Sequence, residues 1–408
     1  MASNSSVNGA FPTITIQPDW NEVARMPDAE AWITAKYYQQ MGVHEKIKTS
    51  QNSNDGKIKM DFPDNYQYIS YSTFMLVLRH LPSGLKVAFV APTTAYKVHT
   101  KGIVSVSAAE STCYAVSACD ENRLIVWDNR TGDKIKQLQG HMGTIYKCRF
   151  FPSGKVVLSA GGDMICRVWD AEPKPDRDVA TAVATLKGHR MTINDVSIVD
   201  RGKNIITASS DGTVKLWDVS KSKCLANVME GIGVVNCCAL AESEETVPVE
   251  TEGEVGTGNK LLVAGTDGGL VVCARVAARR ELARRQLAAG CNACAVLDGT
   301  VVFGCEDGKI IQLSLPDLSV VNEWHESASR VCSMAKLSDD VFVAGRRDGT
   351  CTAQSVRPAA AAAVRVQLTG ADADPVRDVA FNGKWIYAGC RDAYIRKYDF
   401  NQIGLHFK

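Results

Sequence analysis

The chain is 408 residues long, 45% of its residues are hydrophobic, and its formal net charge is +1 at pH 7. A charge this close to zero argues against electrostatic capture of nucleic acid or of an acidic membrane surface. No apolar stretch reaches the length of a membrane-spanning helix, and the first residues lack a basic region followed by an apolar core, so we expect neither a membrane anchor nor a secretory signal.

Residues 1–84 precede the repeating part of the chain and predict a small N-terminal extension, mixed in structure and partly irregular. Asp19 is suited to cap a short helix that begins at Trp20. Trp20 and Trp32 both need a place to be buried. We expect this segment to pack against the wall of the following domain, with a role in partner binding as the alternative.

Residues 85–99 alternate apolar and polar side chains, which is the pattern of a half-buried strand. This segment directly precedes the first repeat. We predict that it forms the outer strand of the last repeat, because a closed ring of sheets has no open edge. Residues 85–408 would then form one domain.

An acidic residue recurs at the end of an apolar run seven times, with gaps of 42, 48, 56, 40, 41 and 44 residues. A period of ~40 to 50 residues, with alternating apolar residues after each acid, is typical of a β-propeller with one sheet per repeat. The sequence therefore predicts an all-β, seven-bladed propeller. The seven acids are Glu121, Asp163, Asp211, Asp267, Asp307, Asp348 and Asp392.

The first three repeats add a His 22 residues before the acid, a hydroxyl four before it and a Trp six after it. We interpret each set as a hydrogen-bond relay inside one blade, from carboxylate to imidazole to hydroxyl to indole. A buried polar chain is stable only when every member is paired. The sets are His99, Ser117, Glu121 and Trp127; His141, Ser159, Asp163 and Trp169; and His189, Thr207, Asp211 and Trp217.

The later repeats keep the turn acid and lose the rest of the relay. Three of these acids are followed by Gly, which accepts positive φ without a steric cost and so favours a tight turn. The exception, Asp392, is followed by Ala393. We therefore expect the turns to persist where the relay does not.

Two segments depart from the repeat. Residues 241–260 are rich in Glu and poor in large apolar residues, which predicts a disordered acidic loop projecting from the fourth blade. Residues 276–288 have helical propensity but occupy the place of an outer strand. We expect the tertiary requirement to prevail there, with some distortion of the strand.

Neither catalysis nor metal binding is indicated, and we expect no cofactor. The fourteen Cys read as small buried hydrophobes. Cys291 and Cys294 form the one CxxC pair, but residues three apart on a strand face opposite sides, so their sulfurs should not converge. No Ser or Cys stands in a nucleophile context, and three of the seven His already serve the relays.

The second and third repeats, which end in CRVWD and VKLWD, closely resemble the WD-repeat family. Stretches at both ends and in the middle of the chain also resemble one group within it, the family of proteasomal ATPase-associated factors. These stretches are IQPDW at 16–20 with EAW at 30–32, CRFFPSGKVVLSAGGD at 148–163, IVDRGKNIITASSDGTVKLWD at 198–218, LTGADADPV at 368–376 and IYAGCRDAYIRKY at 386–398. Residues 20–70 and 241–290 match that family least.

This resemblance implies a non-catalytic assembly chaperone of the cytosol and the nucleus. Such a protein would bind the C-terminal domain of one AAA ATPase subunit of the proteasome regulatory particle, and would assist or restrain assembly of the 19S base and of the 26S proteasome. We expect it to be a monomer when alone.

In WD-repeat propellers the surface that carries the His loops and turn acids is the usual docking face, because short rigid loops present its side chains. Its mixture of acids and Arg suits charge complementarity with a partner. Each exposed charge could instead serve solubility alone. The candidate residues on this face are Thr144, Arg190, Thr192, Glu306, Arg347, Asp372, Asp374 and Arg391.

Two other functions stay open on the sequence alone. Trp127, Asp128, Asn129 and Arg130 fit the Trp-Asp-x-Arg pattern of substrate receptors in cullin-RING ubiquitin ligases. The pattern is short, and Trp-Asp is intrinsic to the fold, so chance matches are common. The other alternative is a generic WD-repeat scaffold with no link to the proteasome.

Overall fold

The polypeptide is almost entirely β-sheet, as described by a computed structural model for residues 12–37, 40–51, 57–173, 179–249, 251–325, 327–357 and 364–404. Residues 1–11, 38–39 and 52–56 of the predicted N-terminal extension and Glu250 of the predicted acidic loop lie outside the described residues. Within these ranges, no helix is both long and apolar enough to cross a bilayer.

The chain begins with a four-stranded antiparallel sheet in the order β1-β2-β3-β4, followed by three strands that join one later sheet and a fourth strand that joins another. These elements are β1 (Thr13–Ile16), α1 (Trp20–Val23), β2 (Glu30–Lys36), β3 (Val43–Gln51), β4 (Ile58–Asp61), β5 (Tyr66–Ser72), β6 (Met75–His80), β7 (Lys86–Val90) and β8 (Thr94–Tyr96).

The rest of the described chain forms seven sheets, which we number in chain order. Sheets one to three contain β9 (Ile103–Ala108), β10 (Tyr114–Cys119), β11 (Leu124–Asp128), β12 (Lys134–Leu138), β13 (Ile145–Phe150), β14 (Val156–Gly161), β15 (Ile165–Asp170), β16 (Val179–Ala180), β17 (Ala184–Lys187), β18 (Ile193–Val199), β19 (Asn204–Ser209), β20 (Val214–Asp218) and β21 (Lys223–Met229).

Sheets four to seven complete the chain and end in a second short helix. They contain β22 (Val235–Glu242), β23 (Lys260–Thr266), β24 (Leu270–Arg275), β25 (Arg280–Gln286), β26 (Cys291–Leu297), β27 (Thr300–Cys305), β28 (Ile310–Ser314), β29 (Val320–Trp324), β30 (Val331–Lys336), β31 (Val341–Arg346), β32 (Cys351–Ser355), β33 (Val364–Leu368), β34 (Val376–Phe381), β35 (Trp385–Cys390), β36 (Ile395–Asp399) and α2 (Phe400–Gly404).

The first strands of the seven sheets contact one another in a closed cycle, in the order β9, β13, β18, β22, β26, β30, β34 and back to β9. Each sheet therefore points its first strand towards a common axis and its last strand outward. Buried apolar clusters fill the spaces between successive sheets. The predicted β-propeller is confirmed.

Every first strand carries a β-bulge at the same place, near its beginning. A bulge adds one residue to one strand and sharpens the local twist. The repetition places one extra side chain per sheet around the axis. The bulged residues are Val104, Tyr146, Asn194, Asn236, Asn292, Cys332 and Arg377.

A strand from the start of the chain closes the ring. β8 pairs antiparallel with β36 and so completes sheet seven, as predicted for residues 85–99. The first half of that segment behaves differently, because β7 pairs in parallel with β33 and extends sheet six. Ala88 and Val90 of β7 are buried against Val366 and Leu368 of β33, which explains this choice.

The N-terminal extension is joined to sheet six rather than separate from it. The hairpin of β5 and β6 continues the sheet beyond β7. The indole of Trp20, 2% exposed, donates a hydrogen bond of 3.1 Å to Thr369 Oγ1. The helix begins at Trp20 as predicted, but the Asp19 side chain makes no capping hydrogen bond. Trp32 stays 39% exposed.

The acidic segment folds back onto the propeller where the sequence predicted disorder. Its ends pair through hydrogen bonds from Ser243 N to Asn259 O and from Val247 N to Gly258 O. The side chain of Glu254 is 1% exposed and accepts a hydrogen bond of 3.0 Å from Arg279. The acid is buried here because it has a cationic partner, which composition alone does not reveal.

Residues 276–288 form the predicted outer strand despite their helical propensity. β25 pairs with β24 along its length, with a register shift between Cys273 and Ala274. Leu282 and Ala283 pack against the cluster between sheets four and five. Burial of this face outweighs the intrinsic preference of the Ala and Arg residues.

Candidate protein-binding face

The loops that lead into the first strands and the turns between second and third strands lie at the same end of the sheets, because the strands are antiparallel. We call this surface the loop face. It contains the relay histidines and the seven turn acids.

Sheets two and three contain the complete relays predicted from the sequence. His141 Nδ1 lies 2.9 Å from Asp163, His141 Nε2 lies 2.7 Å from Ser159 Oγ, and the Trp169 indole donates to the same hydroxyl at 2.7 Å. In sheet three the corresponding distances are 2.8 Å for His189 to Asp211, 2.6 Å for His189 to Thr207 and 2.8 Å for Trp217 to Thr207.

Burial sets the protonation of these groups. It lowers the pKa of His141 and of His189, although each neighbouring carboxylate acts in the opposite direction. Burial alone would raise the pKa of Asp211, but hydrogen bonds from Thr213, the Arg190 N–H and His189 outweigh it and hold that pKa below its ordinary value. In sheet three the relay therefore joins a neutral imidazole to an ionised carboxylate, and in both sheets the His–Asp contact ties the loop to its sheet.

The relay of sheet one is incomplete, which corrects the prediction for Glu121. His99 Nε2 lies 2.8 Å from Ser117 Oγ, and the Trp127 indole donates to Ser117 at 3.1 Å. His99 Nδ1 is buried and has no hydrogen-bond partner among the described residues. Glu121 instead lies 3.4 Å from Arg123. Its longer side chain turns outward to an exposed cation, so the carboxylate does not reach the imidazole.

Three of the four remaining turn acids bind the backbone of their own turn, as expected. Asp307, Asp348 and Asp392 each accept a hydrogen bond from the N–H two residues later, at 3.1, 3.0 and 3.0 Å. In sheet seven the half-buried Asp392 also forms an ion pair with Arg396, 2.5 Å between Oδ2 and Nη2. Sheet two has the equivalent pair, Arg167 with Asp163 at 3.5 Å, in addition to its relay.

The eight candidate partner-binding residues all lie on the loop face. Arg190, Glu306, Arg347, Asp372 and Arg391 are exposed, and Thr144, Thr192 and Asp374 are half-buried.

Several of these candidates contact their neighbours on the face. Arg391 lies 3.0 Å from Asp374, Glu306 lies 3.1 Å from Arg330, and the Thr192 hydroxyl lies 2.7 Å from that of Ser210. Sheets five to seven thus present paired charges of both signs.

An exposed apolar group on sheets two and three was missed by the sequence reasoning. Met142, Tyr146, Met164 and Met191 are 90%, 42%, 42% and 51% exposed, and we call them the methionine patch. A Cβ placed on Gly162 would lie 3.8 Å from the Tyr146 ring, which puts this side chain beside the turn that holds Met164. The available signal was Asp163-Met164, where four of the other six turns have Asp-Gly.

A buried carboxylate near the axis was also missed. Asp378 is 1% exposed and accepts hydrogen bonds from Ser105 Oγ at 2.6 Å, Ser333 Oγ at 2.7 Å and Lys147 Nζ at 2.9 Å. Burial alone would raise the pKa of Asp378, but the Lys147 and Arg149 cations and the two hydroxyls keep it well below its ordinary value. This group joins four sheets and so rigidifies the ring beneath the loop face.

The two Cys of the CxxC pair lie on the same side of their strand. The bulge at Asn292 shifts the alternation of β26, so Cys291 and Cys294 both pack against the cluster between sheets four and five. The prediction that they face opposite sides was wrong because it assumed a regular strand. A hydrogen bond with Cys305 and burial raise the pKa of the Cys291 thiol. No group of three or more metal-binding side chains occurs in the described part of the chain.

Similarities to known proteins agree with this architecture. A family model for the WD domain, G-beta repeat, matches residues 132–170 and 180–218, which span the two complete relays and their loops. The chain is 29% identical over 401 residues to proteasomal ATPase-associated factor 1 of Homo sapiens, covering 96% of this chain and 99% of that protein. The same protein of Gallus gallus is 29% identical over 402 residues, with the same coverage of both chains.

A shorter similarity covers the repeats alone. The guanine nucleotide-binding protein subunit beta of Zea mays is 32% identical over 80 residues, 20% of this chain and 21% of that protein. The chain thus carries WD repeats, and it is similar to proteasomal ATPase-associated factor 1 from its N-terminal extension to its last sheet.

Proposed function

We propose that this WD-repeat protein is a non-catalytic chaperone that binds one AAA ATPase subunit of the proteasome regulatory particle. The observation that carries the proposal is the similarity to proteasomal ATPase-associated factor 1 over 96% of the chain. A similarity confined to the repeats would support only the fold, whereas this one includes the N-terminal extension and the irregular loops.

The loop face is suited to bind a folded partner without rearrangement. The relays tie the loops of sheets two and three to buried Trp side chains, and Asp378 joins the sheets below them. A face that is already ordered loses little conformational entropy on binding. Such a surface is better suited to be a rigid binding platform than an enzyme active site, because its buried carboxylates already form hydrogen bonds with backbone N–H groups and imidazoles.

The charges of sheets five to seven would orient the partner. Asp372, Arg347 and Arg391 are exposed on one side of the loop face. Mixed exposed charges contribute more to association rate and register than to affinity. The bound segment is the C-terminal domain of the ATPase subunit. Binding of the protein to this domain assists or restrains assembly of the 19S base and docking of the regulatory particle onto the core particle. We place this activity in the cytosol and the nucleus, with the protein a monomer when alone.

A pull-down with the six regulatory-particle ATPase C-terminal domains, each purified and folded, tests this proposal directly. Selective retention of one domain is the expected result. Failure of all six domains, with folding verified by circular dichroism, would contradict it. The control is the same protein unfolded by heat and cooled, which should retain none of them.

Adaptor binding in a cullin-RING ligase is the second candidate function. The Arg130 side chain is 68% exposed, which suits a contact residue, but its guanidinium lies 2.6 Å from Asp128. An adaptor would have to accept this pair or break it. Co-purification of a cullin adaptor with the unchanged protein, and its loss in Arg130→Ala, would favour this candidate; absence of any adaptor from the purified material would exclude it. A protein that retained neither an adaptor nor an ATPase domain would be a generic scaffold.

A further inference from the structure

We infer that the methionine patch anchors an amphipathic helix of the ATPase partner, one whose apolar side meets the methionines and whose flanking residues are acidic. This inference rests on the proposed function. It adds the chemistry of the contacted segment. It also places the apolar anchor on sheets two and three, apart from the paired charges of sheets five to seven.

The patch combines a fixed backbone with adaptable side chains. Met142 follows His141 directly, and its N–H donates to Asp163 at 3.3 Å. Ser209 Oγ donates to the Met191 carbonyl at 3.2 Å. A relay carboxylate thus holds the backbone at Met142 and a serine hydroxyl holds it at Met191, while both thioethers stay exposed. Methionine is common at protein-binding surfaces because its unbranched side chain adapts to different apolar shapes.

The conformation of Met164 points in the same direction. Its φ is +62°, a region that side chains other than Gly rarely adopt. Gly212, Gly308 and Gly349 occupy the equivalent position in three other sheets, with φ of 79°, 83° and 84°. Asn122 and Ala393 also have positive φ there, so what distinguishes Met164 is the size and apolar character of its side chain. Sheet two thus presents a large apolar side chain at a strained position on the surface, where a glycine would relieve the strain.

The charges of the surrounding loops define the flanks of the partner segment. Lys187 and Arg190 are exposed beside the patch. Asp163 and Asp211 are only 8% and 6% exposed and are bound by the relay histidines. The accessible charges of these loops are therefore positive, which favours acidic residues beside the apolar contact.

The shape of the face favours a helix over an added strand. The strands of sheets two and three end at the loop face in hydrogen-bonded turns, such as Met164 N to Gly161 O and Gly212 N to Ser209 O. These turns offer no run of free backbone groups for strand addition. The apolar side of a helix, with residues spaced at i, i+3, i+4 and i+7, matches a patch of separate side chains.

Biolayer interferometry with the ATPase domain retained in the pull-down tests the inference. We expect the double variant Met142→Glu and Met191→Glu to bind it at least about tenfold more weakly. The matched control is Val320→Glu with Val321→Glu, two residues of β29 that are 46% and 55% exposed and lie away from the loop face. This control should bind the domain as tightly as the unchanged protein does. The methionine variant and the valine variant should both have the melting temperature of the unchanged protein.

The outcomes separate the two proposals. If the unchanged protein binds a domain and the Met142 and Met191 variant binds it equally well, the inference is wrong and the proposed function stands. If the unchanged protein binds none of the six domains, both fail. Arg190→Glu should weaken binding and reduce its dependence on salt, whereas stronger binding by this variant would show that the partner segment is basic and would overturn the inference.

Discussion

The carboxylate of Asp378 in sheet seven lies 2.9 Å from the ammonium group of Lys147 in sheet two, although 231 residues separate them in the chain. Sheet one lies between these two sheets, so the ion pair spans the point at which the ring closes. Ser105 and Ser333 add hydrogen bonds from sheets one and six. One buried group thus links the beginning of the propeller to its end.

Replacing Asp378 with Asn should destabilise the protein. The Lys147 side chain is 16% exposed and would lose its anionic partner, and breaking such a pair typically costs about 2 to 4 kcal/mol. The free energy of unfolding in urea measures the effect. Asp372→Asn, at an exposed position, is the control and should change little. Equal stability of the two variants would show that Asp378 is not a central support.

Replacing Glu121 with Asp should complete the relay of sheet one. The shorter carboxylate is expected to reach His99 Nδ1, which is buried without a partner among the described residues, and to stabilise the protein by about 1 kcal/mol. The same contact should raise the pKa of His99. Thermal unfolding and an NMR titration of the imidazole measure both effects. Glu121→Gln is the control. If Glu121→Asp were no more stable than Glu121→Gln, the length of the Glu121 side chain would not explain the incomplete relay.

The stability of the protein should fall in mild acid, in part because of His99. Burial lowers the pKa of His99 to about 4, whereas an unfolded imidazole has a pKa of about 6.5. Between these values the unfolded state binds more protons, so this contribution is fully present above about pH 6.5 and is lost as the pH falls towards 4. The difference corresponds to about 3 kcal/mol.

Urea unfolding at several pH values between these limits measures that loss. His99→Gln should show a smaller decrease in stability with acid than the unchanged protein, because the variant removes the titrating group. His141 and His189 stay in both proteins and therefore cancel in the comparison. Parallel pH profiles for the two proteins would assign the acid sensitivity to other groups.

The sequence predicted those parts of the fold that repeat. The spacing of the turn acids predicted the propeller, and the sets around His141 and His189 predicted the two complete relays. Each is a local pattern repeated along the chain, so several copies support the same interpretation. The strand at residues 276–288 was also predicted correctly, because its place in the repeat outweighed its composition.

The parts that could not be predicted depend on irregular geometry or on distant partners. The bulge at Asn292 reversed the expected orientation of Cys294, and one extra methylene group kept Glu121 from His99. Asp378 looks like any polar residue in an alternating strand, since its partners come from other sheets. The methionine patch became recognisable only when the structure showed that its residues share one face.

Replacing Glu254 with Ala should loosen the acidic segment. Glu254 lies in the predicted disordered loop but is buried against Arg279, so the variant would leave a half-buried cation without this partner. Limited proteolysis should then cleave residues 241–260 faster than in the unchanged protein. Glu244→Ala, on an exposed residue of the same segment, is the control. Equally fast cleavage in all three proteins would show that the Glu254 contact does not order the segment.

Charge reversal at Asp372 and Asp374 should weaken partner binding without unfolding the ring. Asp372 is exposed, and Asp374 lies 3.0 Å from Arg391, so Lys at both positions would change this part of the loop face from mixed to positive. Exposed charges chiefly govern association, so we expect the association rate with the ATPase domain to fall by about 3- to 10-fold, with a smaller change in the dissociation rate.

Biolayer interferometry at low and high salt measures both rates, and the difference from the unchanged protein should shrink at high salt because the charges are screened. Asp317→Lys, on the connection between β28 and β29, is the matched control. Loss of the thermal transition in the double variant would make these two residues structural, and an unchanged association rate would exclude sheet seven from the contact.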